Sequence, residues 1–195
     1  MQKATKLLVI VILGLLVNAP ALLSASSPQT AASVPAESAA IKQFDDAIAK
    51  YMAMRNKLRS EVTGPVKDSS STQVTDASDA LAGAIQRARQ NAHAGSIFAE
   101  PVATVIKRRI ADTVRTEKLA PVLADIDDEG APSLAPKVHL RLPVSAQMAT
   151  MPPALLKVLP ALPKELEYRI LGRYLVIRDV DASLILDYIP AAVPR

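Results

Sequence analysis

Apolar residues recur along this chain with two different periods. In residues 36–62, "AESAAIKQFDDAIAKYMAMRNKLRSEV", Ile41, Phe44, Ile48, Tyr51, Leu58 and Val62 follow one another at helical spacing, and Arg55 fills the one gap. They form one stripe, with Lys42, Asp45, Asp46, Lys50 and Lys57 off it, and predict an amphipathic helix that Thr63-Gly64-Pro65 ends. The same stripe suits an intramolecular helical hairpin or a coiled-coil dimer, and its short run favours the hairpin. A second helical run over 73–94 carries Val74, Ala77, Leu81, Ala84, Ile85, Ala88 and Ala92. This stripe is narrow and alanine-rich, which suits close approach of a neighbour, and Gly95 fits its C-terminal cap. A third helix is expected from Pro101, through Val102, Val105, Ile106, Ile110 and Val114, fading near Leu119.

The period shortens to two after "APVLADIDDEGAPSLAP" (120–136), which reads as a linker. In "KVHLRLP" (137–143), Val138, Leu140 and Leu142 alternate with His139 and Arg141. That predicts a strand with His139 toward solvent. "MPPALLKVLP" (151–160) starts with two prolines and ends on a third, so it holds at most a short helix. "LEYRILGRYLVIRDVDASLILDYI" (166–189) predicts a three-stranded meander. Gly172-Arg173 fits a two-residue type II′ turn. This turn opposes Leu171 to Tyr174, Ile170 to Leu175 and Tyr168 to Ile177, with Leu166 on the same apolar face as the last two pairs. Glu167 then meets Arg178 on the other face, a cross-strand pair worth under about 1 kcal/mol. After a turn at Asp179-Val180-Asp181, the third strand is apolar on both faces, Leu184, Leu186 and Tyr188 on one, Ile185 and Ile189 on the other. It should lie beneath other structure.

Composition changes this picture at the N-terminus. "MQKATKLLVIVILGLLVNAPALLSA" places Lys3 and Lys6 before an unbroken apolar run, Leu7 to Val17, followed by small residues. The order is that of a secretory signal peptide over 1–25. The run is shorter than the roughly 20 residues a spanning helix needs, so the mature chain is expected to have no membrane span; the alternative is an uncleaved anchor. Residues 26–35, rich in Ser, Ala and Pro, read as a flexible lead-in. There is no cysteine, which excludes disulfides and a lipoprotein. Removing Lys3 and Lys6 from 23 basic residues leaves 21 against 19 acidic ones, so nucleic acid is not an expected partner. Aromatics are 3% of the chain, a poor supply of stacking platforms.

Candidate chemistry is sparse. The run "DIDDEG" has Asp125, Asp127, Glu129 and Gly130 at the first, third, fifth and sixth places of a calcium loop, but Pro136 stands where the bidentate Glu belongs. A solvated linker is the simpler reading. His93 and His139 are far apart in the chain and have no cysteines to help them hold a metal. Ser96 after Gly95 lacks the G-x-S-x-G elbow and follows a helix, so it reads as a turn residue. Lys107, Arg108 and Arg109, with Arg87 and Arg89, form a basic cluster that reads as a solvated face. No catalytic residue, metal ligand or cofactor-binding residue is assigned, and no cofactor is expected.

Two blocks carry a resemblance. "ALAGAIQRARQNAHAGSIFAEPVATVIKRRI" (80–110) and "MPPALLKVLPALPKELEYRILGRYLVIRDVDASLILDYIP" (151–190), about 70 residues together, resemble a family of uncharacterised secreted proteins of soil-type bacteria. The chain departs from that family's pattern with Ser96 for Asp, Ala99-Glu100-Pro101 for Thr-Pro-Glu and Tyr174 for Asp. The resemblance implies export and a shared fold, and it brings no activity. Any role resting on an acid at position 96 does not carry over. The proline-helix-to-meander tail is also similar, in pattern and not in matching residues, to periplasmic nickel/cobalt-homeostasis accessory proteins.

The expected fold is α+β. About three helices in a helical region, 36–119, pack on a small antiparallel sheet from 137–195, made of the meander plus the earlier strand at 137–143. The expected function is a non-enzymatic exported structural or protein-interaction module in the periplasm or envelope, with an envelope protein as partner. The alternative is a periplasmic small-ligand or metal-binding protein; a hydrolase is the third reading. Oligomeric state is left open.

Overall fold

The computed structural model describes residues 29–62, 71–128, 135–142 and 151–194. Helices α1 (Gln29–Val62), α2 (Ser71–Ala88), α3 (Glu100–Thr116) and α4 (Ala120–Asp128) precede the short α5 (Pro153–Val158). The strands β1 (Leu166–Leu171), β2 (Tyr174–Asp179) and β3 (Leu184–Ile189) follow, so the fold is α+β with its helices mostly N-terminal. The sheet is antiparallel in the order β1-β2-β3. Helix α1 packs against α2 and α3, and α3 against α5.

The stripe of α1 buries Phe44, Ile48 and Tyr51, and Arg55 lies buried in line with them. Phe44 stacks on Phe98, ring centroids 5.7 Å apart, which fixes the α2–α3 connection against α1. In α3 the five predicted apolar residues are buried, together with Ala103. In α2 only the middle of the stripe is buried, at Leu81, Ala84 and Ile85, and Val74 is exposed.

Between β1 and β2 the register is the expected one, from Leu171↔Tyr174 to Glu167↔Arg178. Gly172 has φ 54 and Arg173 is not left-handed, as a type II′ turn requires. The inner face, with Leu166, Tyr168, Ile170, Leu175, Ile177, Leu184, Leu186 and Ile189, joins the core of the helices. The outer face carries a smaller cluster of Leu171, Val176 and Ile185 with Leu142.

Five expectations need correction. Helix α2 ends at Ala88, so residues 89–94 are not helical and Gly95 does not cap it. Helix α1 begins at Gln29, so most of the predicted flexible lead-in is helical, with Pro35 inside the helix; its alanines favour helix and oppose the lost hydrogen bond and steric cost of Pro35. Within the predicted linker, 120–128 forms α4. Pro121 falls in its first turn, where a missing N–H is no loss, and Leu123 anchors it in the core. Residues 137–142 are not a strand: 138–139 form a turn and only Arg141 bridges to Leu184. His139 has φ 69, which breaks the extended backbone that alternation assumes. Finally, a bulge opposite Ile177 and Arg178 pairs Ile177 with Asp187 and Arg178 with Ile185, leaving Leu186 as the extra residue. The side-chain alternation therefore shifts: Tyr188 joins Ile185 on the outer face and Ile189 joins Leu186 on the inner one. The signal peptide expected at 1–25, the linker residues 129–134 and residue 143 of the expected strand lie outside the described residues.

Candidate functional site

The bulge decides where the charges go. It turns both Leu186 and Asp187 to the helical side of the sheet, where strict alternation would have sent Asp187 outward. Asp187 is fully buried there. Its Oδ1 accepts hydrogen bonds from the Gly95 N–H (2.9 Å) and its own neighbour's N–H at Tyr188 (2.8 Å). Its Oδ2 accepts from the N–H groups of Ile97 (2.6 Å) and Phe98 (2.8 Å). A carboxylate with four backbone donors is satisfied without a cation. Gly95 stands at φ 90 at the start of this cradle, a conformation that suits glycine. Residues 95–98 and Asp187, some ninety positions apart in the chain, meet at this contact.

Asp179, diagonally across from Asp187 on the same inner face, is also fully buried but is answered mainly by side chains. The Tyr51 hydroxyl donates to its Oδ2 at 2.8 Å and Arg55 Nε donates to the same oxygen at 2.5 Å. The Ala182 N–H donates to Oδ1 at 2.9 Å, which closes the β2–β3 turn. Arg55 also reaches Asp181 (2.6 Å), which in turn accepts from the partly exposed Arg59 (2.7 Å). Burial opposes the charge on Arg55, but the hydrogen bonds and attraction of Asp179 and Asp181 outweigh it, and its pKa rises. Burial, reinforced by the charge of Asp179, raises the pKa of Tyr51 far above the ordinary phenol range, so it stays protonated and donates.

Arg89 stands between the two carboxylates. Its guanidinium lies 5.4 Å from the centre of the Tyr51 ring and donates twice to the Leu186 carbonyl at 3.3 Å. That carbonyl belongs to the extra residue of the bulge. Burial lowers the pKa of Arg89.

The residues singled out in the sequence do not converge on this region as chemistry. Ser96 Oγ accepts from the His93 N–H (2.9 Å) and the Ser96 N–H donates to the His93 carbonyl (3.0 Å), a closed turn. The His93 ring is exposed and contacts the Asn91 carbonyl. The backbone of 125–128 ends α4 rather than forming a loop, and those side chains and Glu129-Gly130 lie outside the described residues. Among the described residues, no three His, Asp or Glu side chains gather as metal ligands. The basic cluster is no free face: Arg108 and Arg109 pair with Glu37 of α1, and Arg109 also donates to the Val158 carbonyl. His139 is half-buried, not solvent-facing, and its Nε2 is enclosed without a hydrogen-bond partner.

Sequence reasoning missed Arg55, Arg89, Asp179 and Asp187 as a set. Two signals were present: one cation inside an apolar helical stripe, and one carboxylate inside a strand apolar on both faces. On the outer face Glu167 is shared by Arg169 (2.7 Å) and Arg178 (2.5 Å), and the Arg169 Nε is buried without an acceptor. Beside this cluster runs a groove of about 390 Å³ lined by Met151, Leu156, Leu162 and Leu166 together with the paired Glu167 and Arg169. Among the described residues no helix is long and apolar enough to cross a membrane. Comparison with family models, curated proteins and solved structures gives no match for this chain.

Proposed function

We propose that this is a non-enzymatic exported module that works through its surface, with an envelope protein as its partner. The observation that carries the reading is the fate of the buried polar groups. Tyr51, Arg55, Asp179 and Asp187 are each committed to partners inside the fold, where they hold α1 and the 95–98 turn to the sheet. A general acid, base or nucleophile needs a group open to substrate, and these groups are spent on architecture. The N-terminal signal-type segment and the likeness to secreted bacterial proteins support export to the periplasm or beyond. Exposed apolar side chains at Val74, Val122 and Leu156 are the contacts such a module offers.

A photo-crosslinker placed at position 74, 122 or 156 in the native envelope tests this. The expected result is one reproducible protein adduct from at least one of these positions and none from the exposed polar position 57. Recovery of the uncrosslinked chain from every position overturns the reading.

The groove beside Arg169 favours a second reading, a small-ligand protein for a molecule with an apolar body and a carboxylate. A ligand that binds only the folded state raises its melting temperature. A panel of medium-chain carboxylic acids and divalent metal ions should then shift Tm, and the acid-dependent part should vanish in Arg169→Leu. No shift across the panel removes this alternative.

A further inference from the structure

Residues 135–142 run as a strap along the β3 edge. The His139 N–H donates to the Ile185 carbonyl (2.8 Å), the Ile185 N–H to the Leu140 carbonyl (2.9 Å) and the Leu142 N–H to the Ser183 carbonyl (2.9 Å). Gln86 of α2 holds the His139 carbonyl at 3.2 Å, and Arg141 pairs with Asp79 of the same helix. Leu142 closes the outer-face cluster over Val176 and Ile185. Without the strap, β3 would present an open edge and an apolar face, the combination that pairs with other strands.

His139 is the weak point of this attachment. It is one of only two histidines in the chain, and the other, His93, is exposed. Its backbone is left-handed at φ 69, which is costly for a residue with a Cβ. Its Nε2 is enclosed with no partner. The charged group acting on its ring is Arg89, from just past the end of α2, a like charge to a protonated imidazole. The other charges around it are engaged: Arg141 with Asp79 on the α2 side, and Asp187 of β3 with the backbone of 95–98. Lys137, on the strap itself, is exposed and adds positive charge.

We propose that the 135–142 strap is an acid-released cover on the β3 edge, with His139 as its trigger. Protonation places a charge and a new N–H in a site that has no acceptor for it and a guanidinium nearby. Burial, with Arg89 adding to it, lowers the His139 pKa below the ordinary 6.5. Above about pH 6.5 attached and detached straps both carry neutral histidine, and attachment is at full strength. As pH falls below that value the detached strap takes up the proton first, and attachment weakens until the attached histidine protonates too. Release uncovers the edge at Ser183 and Ile185 together with Leu171, Val176 and Ile185.

Amide hydrogen exchange on the full chain tests this. Corrected for intrinsic rates, protection of the His139, Leu142 and Ile185 amides should fall at least about twofold between about pH 7.5 and about pH 5, where histidine is the side chain that changes charge. Amides of the β1–β2 ladder should hold. His139→Asn keeps a side chain that tolerates positive φ and cannot protonate, so the fall should disappear. An unchanged wild-type strap, or an equal fall in the variant, overturns the proposal. An NMR titration of His139 in the unmodified chain gives an independent reading: a midpoint below 6.5 supports the trigger, and one at or above 6.5 overturns it.

Discussion

Two neighbouring positions on the sheet's inner face solve the same problem in different ways. Both Asp179 and Asp187 are fully buried carboxylates. Asp179 is answered by side chains of α1, a cation and a phenol brought from across the fold. Asp187 is answered by the main chain of the 95–98 turn. The first solution can be edited residue by residue, because either partner can be changed. The second cannot, because every residue except proline supplies the same N–H.

The sharpest test of that contrast is at Arg55. Arg55→Met alone leaves Asp179 charged and buried, and should cost about 3–5 kcal/mol in urea unfolding. Adding Asp179→Leu should return only part of that loss, because it removes the buried charge but leaves the Tyr51 hydroxyl and the Ala182 N–H without their acceptor. Adding Tyr51→Phe as well should return more, and a triple variant no more stable than Arg55→Met alone would break the comparison. Asp187→Asn keeps one acceptor oxygen and turns an amide toward two of the donors. It should cost about 1–3 kcal/mol, with no second-site change that restores it. Gly95→Ala keeps the N–H and meets no close contact, so only the strain of φ 90 remains, about 1–2 kcal/mol. Smallest of all, Arg59→Ala removes a half-exposed pair with Asp181 and should change stability by no more than about 1 kcal/mol.

The β1–β2 hairpin was legible in the sequence to the residue, because its register follows from a glycine turn and a two-residue period, both local. The apolar faces of α1 and α3 were legible for the same reason. What escaped depends on contacts between distant segments. The bulge exists because Asp187 is held by a turn some ninety residues earlier, and no pattern within β3 announces it. The alternation of 137–142 was real, but the backbone reverses at His139 to fit the β3 edge. The prolines and acids of 120–128 look like breakers locally, yet Leu123 finds the core and the segment is helical. Arg55 was visible as the gap in a stripe. Its meaning needed Asp179, which the sequence pattern places in a turn and which the structure makes the last residue of β2.

The separation between those two residues also bears on the order in which the chain acquires structure. A helix such as α1 forms from local contacts far faster than it can meet a sheet that lies more than a hundred residues further along the chain. During synthesis, then, α1 exists with a charged guanidinium in the middle of its apolar stripe and nothing to neutralise it. Burying that stripe against any surface lacking a carboxylate at the right height is costly. Arg55 thus penalises premature or foreign partners for the first helix, and the penalty lifts only when the β2–β3 turn delivers Asp179. The last hairpin licenses the first helix.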